Sequence, residues 1–168
     1  RRPDMAHQGT STAVPCGWVR SLAMLESRYQ HRATTTASLA TVWDRLQDPA
    51  TWATVAGVDG TNQHRFDGSS LLGFGFEAMI GGVPYRGTAR VIESQPRTSM
   101  SLSIKSSEML GTISVSPMTT PEGVEVDVTM TIRPAGMLGA VVFPAVTAAV
   151  SRNFTESVER LAAELSEA

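Results

Sequence analysis

The side chains able to move protons, hold a metal or attack a carbonyl are few and scattered. His7, His31 and His64 are the three histidines of the 168-residue chain. They show no HxH or HxxxH spacing, the pattern that would present two imidazoles on one face, so no metal site is expected. Cys16, the single cysteine, has no base or second thiol beside it in sequence and does not read as a nucleophile. Gly73-x-Gly75 lacks the strand-to-helix setting of a phosphate loop. Tyr85, followed by Arg86 and Arg90, is left as the group that could orient a carbonyl or a polar headgroup. A phenol titrates near ~10, too high for a good general base at neutral pH. Glu77 and Glu93 read as surface charges, and Trp43 and Trp52 as core anchors. No catalytic residue and no cofactor is assigned on this pattern. The chemistry that remains is apolar contact.

The elements that must position these groups are mostly strands. Leu72, Phe74, Phe76, Ala78 and Ile80 alternate with Gly73, Gly75, Glu77 and Met79, and Gly81-Gly82 then reads as a hairpin. Tyr85, Gly87, Ala89 and Val91 alternate with Arg86, Thr88 and Arg90, which puts both arginines on the wet side. Met100, Leu102 and Ile104 repeat the pattern, then Gly111, Ile113 and Val115, then Val124, Val126, Val128, Met130 and Ile132. Pro96, Pro121-Glu122-Gly123 and Pro134-Ala135-Gly136 break the runs. Period-two alternation means one dry face and one wet face, the habit of an antiparallel meander. A first strand ends near Ala37, and about six more follow. Small residues at Ala78, Gly87, Ala89 and Gly111 remove bulk that a filled core would want, and Met79, Met100, Met109 and Met130 add adaptable walls.

Two short helices are expected between the first strand and the meander. Ser38 caps one over residues 38–47, with Leu39, Val42, Trp43 and Leu46 at helical spacing. Asp48-Pro49 starts another over residues 48–55, which ends at Gly57 and Gly60. A long helix closes the chain over residues 137–165. Its stripe is Phe143, Val146, Val150, Phe154, Val158, Leu161 and Leu165, and Arg152–Glu156, Glu156–Arg160 and Arg160–Glu164 can pair along its wet side. Pro144 allows two readings: the helix begins near Phe143, or the proline kinks it and makes residues 137–142 an apolar lip facing a membrane or partner. The expected fold is α+β: a curved antiparallel sheet wrapped around this helix. The expected ligand wall is Phe74, Phe76, Ala78, Tyr85, Gly87, Ala89, Met100, Leu102, Ile104, Ile113 and Met130 from the strands. Phe143, Val146, Val150 and Phe154 complete it from the helix.

Composition narrows the function classes. A net charge of −2 provides no broad basic field for nucleic acid. One cysteine excludes an internal disulfide and fits a reducing compartment, so the expected location is cytoplasmic, with peripheral membrane contact through the lip. No apolar run is expected to reach the ~20 residues of a membrane span once Pro144 and the charges after Val150 are counted. Residues 1–23 mix Arg, Pro, Gly, Ser and Thr without periodicity and read as a flexible extension, leaving residues 24–168 as one domain.

With these boundaries the chain resembles the START/polyketide-cyclase (SRPBCC) superfamily, whose architecture is called a helix-grip fold. The resemblance covers roughly residues 24–168. Within the superfamily it is most similar to the CoxG-like branch, associated with carbon-monoxide dehydrogenase. The residues that suggest this are Val42-Trp43 and Leu46, Asp48-Pro49, the Ala56-Gly57-Val58 corner, Tyr85-Arg86-Gly87-Thr88-Ala89, and the helix ending Phe154, Val158, Leu161. That branch usually has Pro where Ala56 stands. The resemblance implies a cavity for an apolar small molecule (a lipid, a quinone or a polyketide-like compound) held by a carrier or sensor. It also implies service to a membrane-linked redox enzyme. The alternative is a polyketide cyclase or aromatase using the same cavity, which needs an acid or base pointing inward: Tyr85, or His31 or His64 if misassigned.

Overall fold

Over residues 25–168, the span that the computed structural model describes, seven strands and three helices follow in the order expected. The extension expected over residues 1–23, with His7 and Cys16, lies outside the described residues. Strand β1 (Ser27–Thr35) leads into α1 (Leu39–Arg45) and α2 (Pro49–Ala56). The meander is β2 (Gly60–Asp67), β3 (Ser70–Ile80), β4 (Val83–Gln95), β5 (Ser99–Ser106), β6 (Met109–Thr120) and β7 (Gly123–Pro134), and α3 (Gly136–Ser166) closes the chain. All pairings are antiparallel, in the order β1-β7-β6-β5-β4-β3-β2.

Local chemistry explains the helix starts. The Ser38 hydroxyl accepts from the Thr41 N–H at 3.1 Å, and the Asp48 carboxylate accepts from the Ala50 N–H at 2.9 Å. Each satisfies one orphan donor of a first turn. Pro49 occupies the first turn of α2, and Gly57 ends that helix in the left-handed region at φ 65°.

Cross-strand register turns single-strand alternation into a continuous wall. Val91, Leu102, Ile113, Met130 and Tyr29 are successive partners across five strands. Phe74, Ala89, Ile104, Gly111 and Ile132 form the next row. At the end of the sheet near α1 the layer is solid. Val42, Leu46, Met100, Val115 and Val126 are all essentially fully buried there, and Trp52 donates its indole N–H to the Leu46 carbonyl at 2.8 Å.

Three readings need correction. Leu71, not Leu72, is buried at the start of β3: the exposures are 2% and 47%. The register shifts between the Phe66–Leu71 and Arg65–Gly73 pairs, so one extra residue enters β3 there and reverses the parity upstream. The long helix does not begin at Phe143 but runs unbroken from Gly136 through Pro144. That helix is also long and apolar enough, by length and composition, to cross a membrane, contrary to the expectation that no such run exists. In this fold its buried stripe packs on the sheet instead. Of the three expected side-chain pairs along it, Arg160–Glu156 forms at 2.8 Å, whereas Glu164 accepts from Thr54 of α2.

Candidate functional site

Between the sheet and α3 lies an apolar cavity of about 130 Å³. An engineered apolar cavity of about 150 Å³ holds benzene, so the space suits roughly one ring. Twelve of the fifteen residues expected on the wall do line it: Phe74, Phe76, Ala78, Tyr85, Ala89, Leu102, Ile104, Ile113, Met130, Val146, Val150 and Phe154. The other three lie elsewhere, each for a packing reason. Met100 is fully buried in the solid end of the layer, with its sulfur 3.8 Å from the Gln47 amide. Phe143 is buried one turn before the first lining residue of α3. Gly87 faces inward, but its register partner Phe76 covers it: a Cβ there would collide with the Phe76 ring and come within 2.6 Å of the Lys105 carbonyl.

The remaining wall comes from elements that the strand pattern does not reveal. Trp52, Val55, Ala56, Gly57 and Val58 close one side from α2 and its exit corner. Ser106, Met109, Ile80 and Ile132 add to the sheet side, and Ala149, Asn153 and Ser157 to the helix side. The three helix residues fall at steps of four beside the apolar stripe. Helical periodicity therefore places them inward, but two are polar and a hydropathy reading drops them. The Tyr29 ring packs 5.8 Å from that of Phe154 and its hydroxyl donates to the Thr147 carbonyl at 3.3 Å, which ties α3 to the edge strand.

The cavity is chemically quiet. Among the described residues that line it, Tyr85 alone is ionisable. His31 bonds Glu159 at 2.6 Å between β1 and α3, and His64 bonds Thr61 at 2.9 Å on the outer face, so neither reaches the cavity. Arg86 pairs with Glu77 at 2.9 Å on the solvent side of the sheet, as alternation requires. No cluster of three His, Cys, Asp or Glu suited to a metal occurs among the described residues. Ser106 is occupied by its own hairpin, where its hydroxyl oxygen accepts from the Met109 N–H at 3.0 Å.

A family model described as polyketide cyclase / dehydrase and lipid transport matches residues 27–166. The chain belongs to this family. Its polyketide cyclase / dehydrase fold is shared with solved structures of low identity. The di-domain aromatase/cyclase BexL from the BE-7585A biosynthetic pathway aligns with a TM-score of 0.62 at 18% identity, over 86% of this chain and 51% of that one. The ZhuI aromatase/cyclase from Streptomyces sp. R1128 aligns at 0.59 and 14%, over 83% and 93%. A START superfamily protein from Mycobacterium smegmatis aligns at 0.57 and 10%, over 82% and 98%. At these identities the likeness establishes the helix-grip fold alone. No curated protein matches the chain.

Proposed function

We propose that this protein binds one neutral, largely apolar small molecule between its sheet and α3 and carries it without transforming it. The observation that supports this most is the composition of the wall, where among the described residues a phenol is the sole ionisable group in some two dozen lining positions. Folding a poly-ketone requires an acid and a base positioned at the reacting carbons, and among the described residues no carboxylate or imidazole lines the wall. The cyclase or aromatase reading therefore rests on Tyr85 by itself. The volume adds a constraint. A single ring, about six carbons at about 0.8 kcal/mol each, offers roughly 5 kcal/mol against association costs of at least about 4 kcal/mol. Tight binding thus needs a tail that continues out through the mouth.

The mouth supports contact with a lipid bilayer. Antiparallel connections alternate between the two ends of a sheet, so the β3–β4 and β5–β6 hairpins and the start of α3 share one end. Met79 and Ile80 of the first hairpin line the cavity there. Met79, Val83, Met137, Leu138 and Val141 are all more than half exposed at that end. Residues 134–151 contain no charge, and in the most apolar window of α3 only 22% of residues are buried. An apolar guest leaving such a rim enters hydrocarbon without crossing water. The likeness to the CoxG-like branch would set such a carrier beside a membrane-linked redox enzyme, with a quinone or lipid as cargo. The decisive experiment is native mass spectrometry of protein purified from its own host, followed by extraction. The expected result is a retained uncharged apolar molecule. Protein that arrives empty and takes up no Nile red defeats the proposal.

A further inference from the structure

We infer that the cavity selects a guest bearing a hydrogen-bond-accepting oxygen, a carbonyl in its simplest form, and that Ser157 of α3 is the residue that reads it. This rests on the carrier reading above and specifies its ligand. Ser157 is 93% buried, at 7% exposure, and lines the cavity. A serine within a helix commonly turns its hydroxyl back to the carbonyl four residues earlier. Ser166 does so, donating to the Ala162 carbonyl at 2.9 Å. Ser157 makes no hydrogen bond with any described residue, although every side-chain nitrogen or oxygen fully sealed from solvent has a partner. Its oxygen is therefore reached from the cavity space, and its proton is free for a guest.

The surroundings fix what that guest is. Gly57, at the exit corner of α2, faces this hydroxyl: a Cβ there would stand 3.4 Å from the Ser157 oxygen. The missing side chain leaves the hydroxyl uncovered. Asn153, one turn earlier on the same helix face, lines the cavity nearer solvent and offers an amide as donor and acceptor. Among the described residues no Lys, Arg or His lines the wall, so a carboxylate or phosphate head would be buried there without a counter-charge, which is strongly unfavourable. The guest is an uncharged oxygen compound with its polar end toward α2 and its apolar body against Phe74, Phe76 and Met130.

The test uses two near-isosteric compounds, cyclohexanone and methylenecyclohexane, titrated into the full chain and into Ser157→Ala while amide and methyl resonances are followed. The expected result is a roughly three- to tenfold loss of cyclohexanone affinity in the variant, the usual worth of one hydrogen bond, with methylenecyclohexane changed by less than about twofold. Because the hydroxyl bonds none of the described residues, the melting temperature of Ser157→Ala is expected to hold or rise. Unchanged ketone affinity, equal weakening of both compounds, or a fall in melting temperature overturns the inference and leaves the carrier reading standing. If neither compound binds the wild type, the cavity reading falls and this one with it.

Discussion

Ala149 sits on α3, half-buried, with its methyl group on the cavity wall. Ala149→Leu would project three further carbons into the space from an element that tolerates leucine well. An unfilled apolar volume of this kind costs about 24 cal/mol per Å³, so the 130 Å³ cavity represents roughly 3 kcal/mol of forgone packing. Three carbons at about 0.8 kcal/mol each recover at most about 2.4 kcal/mol of it. For a chain of this size each kcal/mol moves the melting temperature by about 2–4 °C, so a rise of up to about 10 °C is expected. Competition for the same space should lower the affinity for a ring-sized guest such as cyclohexanone by at least about tenfold. Calorimetric melting and resonance titration on the same preparations report the two effects together. A variant that melts lower and binds as the wild type does would refute the reasoning, because it would show a filled wall at Ala149 and a guest bound elsewhere. The signature sought is opposed movement: stability up, binding down.

Gly87→Ala is expected to destabilise by about 1–3 kcal/mol, since its Cβ would press on the Phe76 ring and the Lys105 carbonyl; a chemical denaturation curve with an unchanged midpoint would contradict that packing. A double variant, Val83→Glu with Leu138→Glu, should release the protein from vesicles of neutral phosphatidylcholine while leaving cyclohexanone binding within about twofold, because both side chains stand in solvent and neither lines the cavity. Co-sedimentation equal to that of the wild type would remove the bilayer from the account.

How far the sequence carried the structure depended on whether a residue's fate was decided within its own element. Alternation in β4 to β7 was legible because one face is wet and the other dry, so Ala89, Leu102, Ile113 and Met130 announce their side by parity. Strand β2 was not legible. Its sequence, Gly-Thr-Asn-Gln-His-Arg-Phe-Asp, is exposed on both sides at the sheet edge, and even Phe66 is 46% exposed. The extra residue near Leu72 escaped notice for a related reason: a bulge is a relation between two strands, and β2 was the missing partner. The glycines show the same limit at the site. Gly87 and Gly111 were read as open space, but Phe76 fills the first, and at the second an added Cβ would meet the Ile132 side chain at 3.1 Å. Alanine was the better guide, since Ala78 and Ala89 do face the cavity. Ser157 and Asn153 were overlooked because the helical stripe was traced by hydropathy, and a polar residue pointing inward is the kind of exception that such tracing discards.

Helix α3 is held unevenly along its length. Toward its C-terminus Thr35 bonds Ser166 at 2.8 Å, His31 bonds Glu159, and Val158, Leu161 and Leu165 are buried to 3% exposure or less. Toward its start, Met137, Leu138 and Val141 stand in solvent, and Pro144 removes one rung of the backbone ladder. Even so, that end is not loose: Gly139 packs against the Glu108 carbonyl, Phe143 and Val146 are buried, and Tyr29 holds the Thr147 carbonyl. Lifting the start of α3 to widen the space beneath it would have to break each of these contacts. A molecule entering by that route would need to replace them with contacts of its own.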